Sequence, residues 1–476
     1  MIFTSYEFIF VFLPVVFAGY WLLGLTKYKS LAKIWLILGS LYFFSRGSRW
    51  FIPWFLLTIA LNYAIGLQLS KNVKTRAGKV WLIVGLVWNI GLLCFYKYLN
   101  FGIENVNRFF ALEIPSLNIV LPLGISFFTF QIISYLVDSY DGTVKEARLI
   151  DYLLFITFFP KIIIGPIVRY KDIVPQFNKP ETFSFKFANI RKGLFVFSLG
   201  CAKKVWIANT LLYFSQYVFS HINASTPLEL LAGLFANLFA FYFDFSGYVD
   251  MAIGVGYFFN IKLPENFNMP YRARNIQDFW KRWHITLSGF LNRYVFGKIY
   301  NPAKGLGSFC LASMITFFIS GLWHGAGYTY ILWGLMHGVA MCIVGAIAVY
   351  YPKKHLLPKK LAQTMTFVFL LFAASLYACA NIGEFLSLFR GLARFVNYFR
   401  FWSPEVLEGI KLFFLDNAFV LLMLILAALI TFFAKTTKEY ADKCLNSRWY
   451  VILTTVLLTI SAFKLGTTST FLYFAF

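Results

Sequence analysis

The chain has 476 residues, 59% of them hydrophobic and only 13% charged, with a mean hydropathy of +0.68. A soluble domain carries roughly 25% charged residues, so this composition excludes a water-soluble enzyme or binding module. The net charge of +23 would suggest nucleic acid in a soluble protein, but here Lys and Arg gather in short loops between apolar runs. That is the mark of membrane orientation and points to lipid, with no nucleic-acid partner.

In chain order, segments 1–26 and 31–45 predict two helices separated by KYKSLAK (27–33). The first has neither a basic n-region nor a small-residue cleavage site, so it is expected to be retained. Uncharged runs at 50–69 and 80–96 flank KNVKTRAGK (71–79), and less pure apolar runs follow at 117–137, 190–212 and 228–260. The runs 305–323, 326–352, 361–383 and 417–434 are again uncharged, and 449–466 closes the series. At ~20 residues per crossing, about eleven or twelve transmembrane helices are expected. The fold class is all-α, a polytopic membrane protein with one membrane domain over 1–476. The basic loops 27–33, 71–79, 353–360 and 435–448 are assigned to the cytoplasm, and 46–49 and 384–416 to the other side. Both termini then lie outside the cytoplasm.

Two apolar stretches are broken by Pro and Gly, VLPLGISFF (120–128) and FFPKIIIGPIVRY (158–170). Interrupted backbone at membrane depth is tolerated only where protein buries it or it lines a wet cavity, so the second predicts a re-entrant hairpin. The least membrane-like region, 262–304, has Phe279, Trp283, Thr286, Leu287 and Phe290 at helical spacing, with Arg274, Asp278, Lys281, Arg282 and Arg293 around them. That pattern predicts an amphipathic helix at the cytoplasmic surface. Interfacial anchoring by Trp280 and Lys281 is an alternative to a functional role, because aromatic and basic side chains favour that depth in any case.

The six cysteines (94, 201, 310, 342, 379, 444) lie in or beside apolar runs without CxxC spacing, which argues against a disulfide framework or a metal site. No GxGxxG, P-loop, GxSxG or HExxH motif is present, so any chemistry belongs to the membrane domain. Only five histidines occur. His221 and His355 fall in predicted loops. His324 closes an apolar run and precedes Gly325-Ala326-Gly327, which predicts a helix junction. His337 lies between Gly334 and Gly338, a small-xxx-small pattern of close helix packing. On one continuous helix the two imidazoles would stand about 220° apart and would not face one site.

A histidine at depth is costly and usually faces the bundle core or a wet cavity. Its ordinary pKa near 6.5 suits removal of a proton close to neutral pH. His324 therefore reads as a general base acting on an acceptor hydroxyl, with His284 assisting and His337 as a packing or hydrogen-bonding residue. Asp244 and Asp250 also lie in an apolar run. For them a buried ion pair with a loop arginine and a substrate-orienting role are both open. A non-catalytic transporter using His324, Asp244 and Asp250 as an ion path is the rival class.

The set RWHITLS (282–288), SGLWHG (320–325) with WGLMHG (333–338), and YFDFSGYVDMAIG (242–254) resembles the membrane-bound O-acyltransferase family. It is most similar to its bacterial alginate O-acetyltransferase membrane-subunit branch, and the likeness runs from TSYEFIFVFLPVV near the start to the terminal FLYFAF. The resemblance implies a helical bundle with re-entrant pieces around a polar tunnel, in a bacterial inner membrane. It implies His324 as the catalytic residue and His284 as a second functional histidine. Trp280, Arg282, Trp283, Trp323, Asp244 and Asp250 are candidate substrate-binding residues, and His337 and Ser320 supporting ones. It further implies no metal or cofactor, acetyl-CoA as acyl donor, and an extracytoplasmic polysaccharide or partner acetyltransferase as the receiving party. Peptidoglycan O-acetylation and teichoic-acid D-alanylation are the alternatives within the family.

Overall fold

The computed structural model describes residues 1–145, 147–352, 357–394, 403–466 and 472. His355, and all of the FLYFAF ending except Leu472, lie outside the described residues. Every regular element among the described residues is helical, as the apolar runs predict. The chain divides into two compact units: Met1–Leu199 with Tyr248–Glu265 and Ala441–Leu457, and Gly200–Gly247 with Asn266–Tyr440 and Leu458–Phe476.

The first unit opens with a π-helical turn, Glu7–Phe12, leading into α1 (Leu13–Gly24), then α2 (Lys29–Ser48), α3 (Ile52–Lys71) and α4 (Arg76–Phe110). Thr75 caps α4 by accepting the Gly78 N–H at 3.0 Å, as hydroxyl residues do at helix starts. In the apolar contact between α3 and α4, Asn62 and Asn89 exchange side-chain hydrogen bonds of 3.2 and 2.7 Å. The break at LPLG has a steric cause. Gly124 starts α5 (Ile125–Tyr140) at φ +74°, where a Cβ would stand 2.7 Å from the Ile162 carbonyl oxygen. α6 (Leu149–Thr157) is followed by α7 (Phe159–Ile162), a single turn, then by buried non-helical backbone as far as α8 (Tyr170–Phe177). The FFPKIIIGP stretch is thus too short and too irregular to be a span, and its fully buried Lys161 is held by the Gln131 side-chain oxygen and the Phe155 carbonyl. α9 (Phe187–Ala202) ends this run of the chain.

The second unit begins with a π-helical stretch, Lys203–Ala208, and α10 (Asn209–Ser220), and takes residues 227–247 of the long α11 (Pro227–Phe258). Short helices α12 (Ile276–Trp280), α13 (Ile285–Leu291) and α14 (Gly297–Ile299) precede the hairpin of α15 (Gly305–His324) and α16 (Tyr328–Tyr350). α17 (Lys359–Ser375), α18 (Ile382–Ala393), α19 (Pro404–Asp416) and α20 (Ala418–Phe433) follow.

Seven stretches among the described residues are long and apolar enough to cross a membrane, with α19 and α20, bent by 70°, making an eighth if taken together. The protein is a multi-pass membrane protein. Counted as continuous stretches the tally is below eleven: α2 and α3 together make one of 43 residues, long enough for two crossings at ~20 residues each, and α5 and α17 have 16 and 17 residues. The 270–297 region also departs from expectation. It is not one surface helix but a broken strap, and Phe279, Trp280, Trp283, His284, Leu287 and Phe290 are all buried. The break falls where His284 adopts φ +41°, ψ +53°, a left-handed conformation that no α-helix continues.

Candidate active site

The strap is fixed by its own polar residues. Asn275 caps α12 by accepting the Asp278 N–H at 2.8 Å, and Asp278 in turn takes Arg282 Nε at 2.8 Å and the Arg274 N–H at 3.1 Å. Buried Asn266 accepts from the Thr286 N–H at 3.0 Å and the Thr286 hydroxyl at 2.6 Å, while its carbonyl accepts the Ile285 N–H at 3.0 Å. These bonds hold the left-handed turn at His284, so the strap points Trp280, Trp283 and His284 inward.

The α15–α16 hairpin supplies the other two histidines. α15 stops at His324, Gly325 and Gly327 are extended, and α16 restarts at Tyr328. A Cβ at Gly325 would stand 2.2 Å from the Tyr330 ring, so the junction needs glycine for space. The break removes the 220° separation of a continuous helix. His324 and His337 line one cavity of about 30 Å³, with Trp283, Trp333, Tyr271, Phe279 and Tyr377 among the walls. That is room for water rather than for a whole acyl thioester. The Trp333 indole packs on both imidazoles, with ring centroids 4.9 Å from His324 and 4.5 Å from His337. Tyr377 packs edge-on to His324 at 5.3 Å.

His337 is 1% exposed, and its Nδ1 accepts a hydrogen bond from Trp280 Nε1 at 3.3 Å. Trp280, expected at substrate, does not line the cavity and packs on Phe317, Trp333 and His337. Trp283 does line it, stacked between Phe241 and Phe279 at 5.6 Å from each. Arg282 is engaged by Asp278 and by the Asn268 carbonyl at 3.3 Å. His284 stands apart from the cavity, its ring 4.7 Å from Phe245 and 6.1 Å from Trp323. Burial lowers its pKa to about 3, so it is neutral at physiological pH and cannot serve there as a cation. Trp323 is buried beside His324, with ring centroids 4.7 Å apart.

Ser313, Thr316, Ser320 and His324 lie on one buried face of α15, and the Ser320 hydroxyl, one turn before His324, has no hydrogen-bond partner among the described residues. Asp244 is buried and paired with Lys204 of the π-helical stretch, rather than with a loop arginine, and it also accepts the Leu472 N–H at 2.9 Å. Asp250, likewise buried, belongs to the first unit.

Sequence reasoning missed Tyr377, Phe241 and Leu370 as cavity walls. Phe241 and Tyr377 also line a second, larger cavity of about 790 Å³ with Ser215, Gln216, His221, Asn237 and Glu384.

A model of the membrane-bound O-acyltransferase family matches residues 50–387. The chain is 39% identical over 420 residues to a peptidoglycan O-acetyltransferase of Helicobacter pylori, covering 82% of this chain and 80% of that protein. It is 38% identical over 381 residues to the probable alginate O-acetylase AlgI of Pseudomonas aeruginosa, covering 77% and 70%. A teichoic acid D-alanyltransferase of Bacillus subtilis matches at 32% over 280 residues, covering 56% and 70%. With the family match spanning both the strap and the histidine hairpin, this chain belongs to the membrane-bound O-acyltransferase family and is an acyltransferase.

Proposed function

We propose that the protein is a membrane O-acetyltransferase subunit that takes acetyl groups from acetyl-CoA on the cytoplasmic side and delivers them to an extracytoplasmic polysaccharide. The observation that carries this reading is the junction that ends α15 at His324 and sets its imidazole in a cavity walled by aromatic rings. A histidine there can take a hydroxyl proton, while the walls keep bulk water from hydrolysing the thioester. Acetyl transfer is favoured over D-alanyl transfer by the greater identity and coverage of the two O-acetylating relatives. Peptidoglycan and alginate are the two polymers those relatives are named for, and identities of 39% and 38% do not separate them. A bacterial inner membrane and an extracytoplasmic partner acetyltransferase belong to the same proposal.

In this mechanism His324 draws the proton from an acceptor hydroxyl as its oxygen attacks the acetyl carbonyl carbon. The new C–O bond forms, the C–S bond breaks, and the thiol leaves with the proton returned from His324. His284 packs against Trp323, the chain neighbour of His324, and stays neutral. The test is transfer of label from acetyl-CoA to polymer in membranes holding the full chain and its genetic neighbours. His324→Ala should lower transfer by about 10²–10⁴-fold at matched protein level, the range of general acid–base groups. Equal transfer in both would refute the role of His324, and label accepted only from a carrier protein would refute the donor.

A further inference from the structure

We propose that His337 is a second catalytic histidine whose Nε2–H holds the acyl carbonyl oxygen in the cavity it shares with His324. This rests on the acyl-transfer reading above and adds a residue to it. Three observations carry it.

The first is a fixed tautomer. Tryptophan Nε1 can only donate, so the bond from Trp280 makes His337 Nδ1 an acceptor. An imidazole with its lone pair on Nδ1 is neutral and carries its proton on Nε2. The second is a fixed ring. Trp333, Phe369 and Phe317 surround the imidazole with centroids at 4.5, 5.2 and 6.0 Å, and one turn before it Gly334 of α16 packs directly against the α15 backbone at Phe317 and Gly321. The third is placement, since His337 and His324 line the same cavity.

Attack on a thioester puts negative charge on the carbonyl oxygen, and in an apolar enclosure a preorganised donor there is worth far more than in water. His324 cannot supply it, because in that step it is receiving the hydroxyl proton. His337 can. The hydroxyl oxygen bonds to the carbonyl carbon, its proton passes to His324, and the C=O electron pair moves onto the oxygen that accepts from His337 Nε2–H. When the C–S bond breaks, that pair returns, and the thiolate takes the proton from His324. His337 keeps its proton throughout, and Trp280 acts through it as a positioning residue.

The experiment compares wild type, His324→Ala, His337→Phe, His337→Gln and Trp280→Phe in membranes with labelled acetyl-CoA, reading kcat and KM beside the melting temperature of each variant. His337→Phe should lower kcat by about 10²–10³-fold with KM unchanged, the loss expected of one oxyanion donor. His337→Gln, which offers an amide N–H at similar reach and an oxygen for Trp280, should recover at least about tenfold of that loss. Trp280→Phe, with its tautomer control removed, should lower kcat by about tenfold or more, as loss of an orienting partner does. Wild-type kcat in His337→Phe, or a Gln variant as poor as Phe, would overturn the proposal and leave a packing residue. The His324→Ala arm reports separately on the underlying reading: transfer abolished there upholds it whatever His337 does, and transfer surviving there refutes it.

Discussion

Gly321 of α15 and Gly334 of α16 meet face to face: a methyl group on Gly334 would lie 3.2 Å from the Gly321 Cα and 2.4 Å from the Phe317 carbonyl oxygen. Backbone against backbone leaves nothing flexible to give way, and this contact sets how closely α16 packs on α15.

Gly334→Ala should therefore destabilise the protein by about 1–3 kcal/mol, the cost of overpacking. It should also lower transfer by shifting α16. Gly307→Ala, at the open start of α15 where a Cβ meets nothing within 4 Å among the described residues, should leave both unchanged. Thermal unfolding of the purified chain in detergent checks the pair, and equal melting of the two variants would refute the contact.

The ion pair of Lys204 and Asp244, exposed by 0% and 1%, should respond asymmetrically. Lys204→Met strands a buried carboxylate and should cost about 3–5 kcal/mol, whereas Lys204→Met with Asp244→Leu should recover much of it. A double variant no more stable than the single one would point to Asp244 having work beyond the pair.

Asn62 and Asn89 offer a smaller version of the same logic. Each amide also donates to the carbonyl one turn back on its own helix, Thr58 at 2.8 Å and Gly85 at 2.7 Å. Asn62→Leu should cost about 0.6–1.7 kcal/mol, the range for polar contacts between membrane helices, and Asn62→Leu with Asn89→Leu less than the two single losses added. A double-mutant cycle on melting temperature measures the coupling.

His284 gives a pH dependence of known sign. Its pKa of about 3 in the folded protein lies below the ordinary value near 6.5, so between those values the unfolded chain binds a proton that the folded chain refuses. Stability is unaffected above pH 6.5 and falls as pH drops from 6.5 toward 3. His284→Asn should flatten that slope, and an unchanged slope in melting experiments across pH 7.5 to 4.5 would contradict it.

Much of this was legible in the sequence. The apolar runs located the long helices, and Gly325-Ala326-Gly327 marked the junction at His324. What helix arithmetic could not supply was the consequence of that junction, because a 220° separation holds only for one rigid axis and folding back of α16 replaces it. The strap was misread for a related reason: Phe279, Trp283, Leu287 and Phe290 recur at helical spacing whether they face lipid headgroups or a protein core, and no local pattern announces a left-handed His284. Lys204 was missed as the partner of Asp244 because it lies 40 residues away inside another apolar stretch. Phe241 and Tyr377 are ordinary aromatic residues in a chain with 58 Phe and 28 Tyr, and only tertiary structure singles them out.

Tyr377 lines both cavities, the one that holds the histidines and a space more than twenty times larger. Its phenol is a shared partition, so no change to that ring can be confined to one chamber. Trimming it would enlarge the histidine pocket and the larger space together and alter how wet the imidazoles are, from a position that neither histidine motif contains.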